Sequence, residues 1–450
     1  MLQSSAEDPD PSFRRALRVR EYRLLWLAGA QSGAGDQLAR IVVVLLVYSR
    51  SGSAAISALT YGLTFLPALV GGVLLSGLAD RYRRREVMVS CDLLRLVLLL
   101  GLASVRLSTA AVGVVLVLLV LVDAPFSAAA AAVIPDVLPR RNYVAGMSLA
   151  VVTGQSAQLL GFAGGGACVA FLGVRGTLLL DAATFAVSAG LIRYGLADRP
   201  APTASGERAG PAGERVSYLA QLVGGVRLVC SDRLLRYLML FAWLPVFYIA
   251  PEAIAPAYAR SLGGGASATG LLMAAMPAGT ALGAWVYGRR GSDAARAAAV
   301  PFLATGAGAV LIGSWLSPSL VLTLALWVLC GFFGAYQISV TTRFVRHTPG
   351  HQRGQAVGLA AAGLIAVQGI GCVAAGVLAT RYGPAAAVGL AGVAVVAVVL
   401  ALVGPLRRAE RQQAPEMTTG PASPPAGEAA FPLIEATSAG PVADTPAAID

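Results

Sequence analysis

The chain has 450 residues, 56% of them hydrophobic and only 13% charged, whereas a soluble domain carries about 25% charge; an ordinary water-soluble globule is excluded. The formal charge is +11 and every basic residue is an arginine. Without a lysine, a nucleotide-driven motor built on a lysine-dependent phosphate loop is excluded as well.

Residues 1–21 are polar and contain no short apolar core with a small-residue cleavage site, so they read as an N-terminal tail, with the first apolar span as the insertion signal. Spans of about 20 apolar residues follow at 22–48, 54–79, 87–106, 109–136, 142–172 and 176–196, and again at 233–258, 264–288, 296–316, 318–344, 353–380 and 384–406. This predicts an all-α membrane protein with twelve transmembrane helices in two six-helix bundles, 22–196 and 233–406. The halves are joined by a linker at 197–232, in which Val216 to Cys230 is amphipathic enough to lie along the membrane surface. The tail, 407–450, becomes rich in Pro, Ala, Gly and Ser from about residue 412 and is expected to be disordered.

Arginine placement orients the chain. One set of loops holds Arg14 to Arg23, Arg81 to Arg85, Arg140, Arg141, Arg193 to Arg236, Arg289 to Arg296, Arg343 to Arg353 and Arg407 to Arg411. The opposite loops hold only Arg50, Arg106, Arg175, Arg260 and Arg381. By the positive-inside rule both termini are expected in the cytoplasm of a multi-pass protein of the cytoplasmic (inner) membrane. Basic residues scattered over short loops do not form a nucleic-acid face, so no nucleic-acid partner is expected. The five cysteines, Cys91, Cys168, Cys230, Cys330 and Cys372, form no CxxC pair and read as small core residues.

The stretch Gly77 to Glu86, GLADRYRRRE, steps from a charge-free span to near-total charge. Its Asp-Arg pair followed by further arginines resembles the loop between helices 2 and 3 of the major facilitator superfamily. GDQLARIVVVLLVYSRSGSA in the first span, IPDVLPRRN after the fourth and LLLDAATFAVSA in the sixth are similar to its twelve-helix drug:proton antiporters, of the type that includes macrolide, siderophore and multidrug exporters. The resemblance covers roughly Phe13 to Leu406. It departs at GFAGGG in the fifth span, where Phe162 replaces the proline usual in the antiporter motif, and at GRRGSD, Gly288 to Asp293, a degenerate second copy of the charged loop.

The resemblance implies a gate made of Gly77, Asp80, Arg81, Arg84 and Arg85, with Asp80 capping the eleventh helix, a favourable place for a carboxylate. Asp92 and Arg95 share one helix face by their spacing, and with Asp136 and the loop arginines they read as one ion network, the alternative being independent snorkelling. Deeper charges are functional candidates because intramembrane ionisable groups are costly. Asp36, Arg40 and Asp123 are the proton-coupling candidates, a structural Asp36–Arg40 pair being the alternative. Glu252, between Pro251 and Pro256, reads as a solvated outer-mouth residue, and Asp181 as a helix cap. The fold implied by the resemblance lines its cavity with helices 1, 4, 7 and 10, which nominates Gln31, Phe126, Trp243, Phe247, Tyr336 and Gln337 as a wall for a small amphipathic substrate.

His347 and His351 are separated by Pro349 and Gly350, so no helical metal face is expected, and no catalytic Ser-His pair. No enzyme, metal or cofactor is predicted. The expected function is export of a drug-like or secondary-metabolite molecule by a monomeric alternating-access transporter in the lipid bilayer, driven by protons. An importer or symporter on the same fold and a non-transporting membrane sensor or scaffold are the rivals.

Overall fold

The structure, a computed structural model, describes residues 13–65, 67, 70–71, 75, 78–105, 107–200, 218–289, 292–316 and 319–413. Every regular element among them is a helix. The first half comprises α1 (Phe13–Arg18), α2 (Arg20–Ser51), α3 (Ala54–Gly62), α4 (Leu78–Arg81), α5 (Arg84–Ser104), α6 (Thr109–Val137) and α7 (Arg140–Gly195). The linker contributes α8 (Tyr218–Ser231). The second half comprises α9 (Arg233–Ala242), α10 (Pro245–Ala253), α11 (Ala255–Ser261), α12 (Ala266–Arg289), α13 (Asp293–Ile312), α14 (Leu320–Phe333), α15 (Tyr336–His347), α16 (Arg353–Tyr382) and α17 (Pro384–Gln413).

Nine helical stretches among the described residues are long and apolar enough to cross a membrane by length and composition. One of these, Ala145–Gly195, has the length for two crossings and breaks at Gly173, whose φ of 69° is a conformation that glycine adopts without a Cβ penalty. Gly52 (φ 64°) ends α2 in the same left-handed region, its N–H bonded to the Tyr48 carbonyl. Serine and aspartate start helices at loop edges: Ser53, Ser108, Ser292 and Ser319 accept from the backbone N–H three residues on, as does Asp232 from Leu235 at 3.0 Å.

The seventh and tenth spans, which read as continuous in the sequence, are interrupted. The seventh breaks at Trp243–Leu244, where Pro245 lacks an N–H to continue the ladder, and again before α11. The tenth breaks between α14 and α15 at Gly334–Ala335. Interrupted helices at membrane depth occur where backbone lines a cavity.

The halves meet through small residues near the arginine-poor end. A Cβ placed on Gly166 of α7 would stand 2.7 Å from Gly270 Cα of α12, and one on Gly376 of α16 would stand 2.7 Å from the Ala58 Cβ of α3. Gly62 faces Cys372 in the same way at 3.2 Å. Such small-residue contacts let helix backbones approach closely where no side chain fits.

Candidate functional site

α5 carries Arg95 into the middle of the first half, where its side chain is fully buried. Three helices bring carboxylates to it. Asp123 of α6 accepts from Nη2 at 2.7 Å, Asp92, three residues before Arg95 on α5, lies 3.6 Å from Nη1, and Asp36 of α2 lies 3.9 Å from the same nitrogen. Ser32, one turn before Asp36, accepts from Nη1 at 3.0 Å. The rings of Phe126 and Phe185 lie 5.1 and 5.3 Å from the guanidinium carbon, giving it two aromatic faces. Asp92 is as buried as Arg95, whereas 43% of the Asp123 side chain is exposed. The cluster is thus sealed on the α5 side and open at Asp123.

Among the described residues Arg40 forms no ion pair within 4 Å, and the nearest cation to Asp36 is Arg95. Asp181 is fully buried in the second arm of α7. The helix resumes just after Gly173, so Asp181 sits two turns inside it and caps nothing. It accepts from Thr184 Oγ1 at 3.3 Å beside Gly35 of α2. A Cβ on Gly35 would stand 2.5 Å from the Asp181 carboxylate, so this glycine makes room for the acid.

At the arginine-rich end the loop charges form separate pairs. Arg84 donates to Asp136 at 2.6 Å and to the Ala132 carbonyl at 2.8 Å, while Arg83 and Arg85 reach Asp198 at 2.8 and 3.1 Å. Asp92 and Asp136 therefore belong to different groups, one inside the helix bundle and one at its edge. Arg81 lies over the Tyr82 ring at 6.0 Å. Gly77 and the Asp80 side chain lie outside the described residues, as do the tail beyond residue 413 and linker residues 201–217. Glu21 binds Arg199 through two contacts, one of 2.8 Å, and this guanidinium holds the Glu21 carboxyl below the usual range. Burial works against ionisation of Asp232, but the Leu235 N–H and His347, 2.9 Å away, outweigh it and hold that carboxyl low as well.

The second half faces the first across a cavity of about 220 Å³. Gln155 and Gln158 of α7 line it from one side, and Gln337, Gln368, Tyr248 and Glu252 from the other. Glu252 is buried rather than solvated, because Tyr61 of α3 donates a hydrogen bond to its Oε2 at 2.7 Å from the opposite half. Gln337 donates to the Tyr336 hydroxyl at 3.0 Å and to the Phe241 carbonyl at 3.2 Å, and the Tyr336 hydroxyl lies 3.4 Å from that of Tyr248.

Of the six cavity residues nominated from sequence, Gln337 lines this space. Trp243 donates to the Ala360 carbonyl at 2.9 Å, binding α9 to α16, and Phe247 is half-buried against the core. Tyr336 is buried behind Gln337. Gln31 bonds the Thr184 carbonyl at 3.3 Å within the first half, and Phe126 lies under Arg95. The amides at 155, 158 and 368 carried no charge and sat among ordinary helix residues, so the sequence offered no signal for them beyond a polar residue in an apolar span.

The helical plan, the interrupted spans around a shared cavity and the buried ion cluster define a membrane transport protein. The family model described as Major Facilitator Superfamily matches residues 25–289 and, a second time, 246–439, and the chain belongs to that superfamily. No curated protein matches it. Among solved structures it is similar to a bacterial homolog of the human lysosomal transporter Spinster, inward-facing and unoccupied, with a TM-score of 0.64 and 16% identity over 87% of this chain and 97% of that one. A peptide transporter of the POT type in complex with alafosfalin gives a TM-score of 0.68 and 15% identity, covering 89% and 99%. The nucleoside transporter NupG gives 0.64 and 14%, covering 85% and 99%. At these identities the likeness is one of fold.

Proposed function

We propose that this secondary transporter exports a drug-like or secondary-metabolite molecule in exchange for protons, with the Arg95 cluster as the coupling site. The observation that carries this reading is three carboxylates around one buried guanidinium, open at Asp123. With all three ionised, two negative charges stay uncompensated at membrane depth, and proton binding relieves them. Asp123 is the most exposed of the three carboxylates, and it holds Arg95 by the shortest contact. A proton on Asp123 weakens that contact and frees Arg95 to shift toward Asp36 and Asp92. Because α2, α5 and α6 each supply a member, such a shift alters the packing of the first half.

The cargo site in this reading is the amide-rich cavity between the halves. Four glutamines offer donors and acceptors, and Tyr248 with the apolar walls suits an amphipathic molecule. The close approaches near the arginine-poor end support an inward-facing state, and the protein is proposed to act as a monomer with twelve spans and both termini in the cytoplasm. Efflux of an amphipathic probe from energised vesicles, with and without an uncoupler, tests the proposal. Efflux that continues unchanged after the proton gradient is collapsed removes the coupling claim. Uptake in place of efflux replaces export by symport on the same fold.

A further inference from the structure

The charged loop of the first half has a partner at Gly288 to Asp293, joining α12 to α13, for which the transport mechanism has no use. Around it the helices leave a groove. α12 and α13 follow one another in the chain, yet each packs chiefly on other helices, α14 among them. A groove of about 270 Å³ runs between them with α14 beneath it. Val286, Ala299, Leu303 and Phe332 make it apolar, and Tyr287 and Arg296 stand at its arginine-rich end.

Three features place the mouth of this groove at a membrane boundary. Trp285 is 58% exposed and Phe302 74% exposed on the same two helices, as on a surface that meets lipid. Arg289 lies over the Trp285 ring at 4.2 Å, an arrangement suited to the headgroup level. The Tyr287 hydroxyl donates to the Arg296 carbonyl at 2.9 Å, tying the ends of α12 and α13 together at that level. The loop and its flanks carry Arg289, Arg290 and Arg296 against a single acid, Asp293.

We propose that this groove binds an anionic phospholipid of the surrounding leaflet, one acyl chain lying along Val286, Leu303 and Phe332 and the phosphate meeting Arg296 and Arg289. Basic pockets between transmembrane helices at the cytoplasmic side are suited to anionic headgroups, each arginine near the surface strengthening binding about fivefold. A zwitterionic lipid offers the same chains without net charge, and a free phosphate ester the same charge without chains. Only the anionic lipid uses both parts of the site.

The test uses the full-length protein in detergent, titrated with phosphatidylglycerol, phosphatidylcholine or glycerol 3-phosphate, with bound lipid counted by native mass spectrometry and thermal stability followed in parallel. Phosphatidylglycerol is expected to bind and raise the melting temperature, and the other two to do neither. Arg296→Gln is expected to weaken phosphatidylglycerol binding about fivefold. Ala299→Phe, which fills the groove and leaves every arginine in place, is expected to abolish it, while Arg353→Gln, outside the groove, leaves it unchanged. Equal binding of the two lipids overturns the proposal, as does a response to glycerol 3-phosphate that matches the lipid's. Lipid binding that survives Ala299→Phe overturns it too, and if that variant fails to fold, unchanged binding by Arg296→Gln does so alone.

Discussion

In the N-terminal half the apolar core is two clusters, one around Tyr22, Met88 and Ile134 and the other around Val43, Leu99 and Phe185. Arg95 and its acids lie between them: Met88 and Cys91 precede Arg95 along α5 and Leu99 follows, while Phe126 of one cluster and Phe185 of the other both lie against the guanidinium. In the C-terminal half a single cluster runs from Leu235 through Trp327 to Val399 and takes in Tyr61 and Phe162 from the other half. Among the described residues, the buried polar side chains packed in it include the hydroxyls of Tyr248, Tyr258 and Tyr336 and one acid, Glu252, bonded to Tyr61. Helices of similar plan thus serve a layer of several charges in one half and, in the other, a wall of hydroxyls and amides with Glu252 among them. In the proposed function, the first half answers to protons and the second shapes the cargo site.

The largest expected break in this contrast is Arg95→Leu. Removing the one cation leaves buried carboxylates facing each other, a loss of about 3–5 kcal/mol by analogy with other broken buried pairs, seen as a fall in melting temperature together with lost transport. Gly166→Leu acts next, on the join between the halves. With no room beside Gly270 the arginine-poor end cannot close, and spin-label distances across that end are expected to lengthen by several Å. Asp123→Asn keeps the shape of the cluster but removes its accessible charge, so the protein is expected to fold while the pH dependence of transport flattens. A pH profile like the wild type would move the coupling role to another acid.

Between the halves, Tyr61→Phe removes one buried hydrogen bond, at a cost of about 1–3 kcal/mol through the stranded Glu252 carboxylate, and Glu252→Gln, which removes that charge, is expected to restore much of it in the double variant. The smallest effect belongs to Glu21→Gln at the edge. Because the folded-state carboxyl is held low by Arg199, its contribution is present above the usual glutamate range and lost as pH falls through the lowered value. The variant and wild type should therefore differ slightly in melting temperature near neutrality and converge in acid.

What the sequence made legible follows the strength of each physical signal. Arg95 stood out because a cation two turns inside an apolar span needs a reason, and Asp36 and Asp123 stood out likewise. Their convergence was not legible, since it depends on the rotation of three helices. Asp36 shares a face with Arg40 by spacing, yet the tertiary arrangement gives it to Arg95. Asp181 looked like a cap because the sixth apolar span begins near residue 176, whereas only Gly173 leaves helical geometry and the helix resumes at once. Glu252 looked wet because prolines flank it, and what buries it is Tyr61, distant in sequence and in the other half. The helical, membrane-spanning character was readable from hydropathy, but the interruptions at Trp243–Leu244 and Gly334–Ala335 were not, since Pro245 and Gly334 are residues that membrane helices often tolerate.

The Gly166–Gly270 contact also sets the mechanical scale of the molecule. From Gly166 back to Arg140, the first arm of α7 runs about 39 Å at 1.5 Å per residue. If one half rocks as a rigid body about a fulcrum at that contact, a turn of about 10° carries the far end of the arm some ~7 Å, wider than one helical pitch. On that geometry, two glycines near one end of the bundle would serve as the pivot of a lever whose long arm reaches the arginine-rich end, so that a small turn at the pivot would open a gap the size of a small molecule.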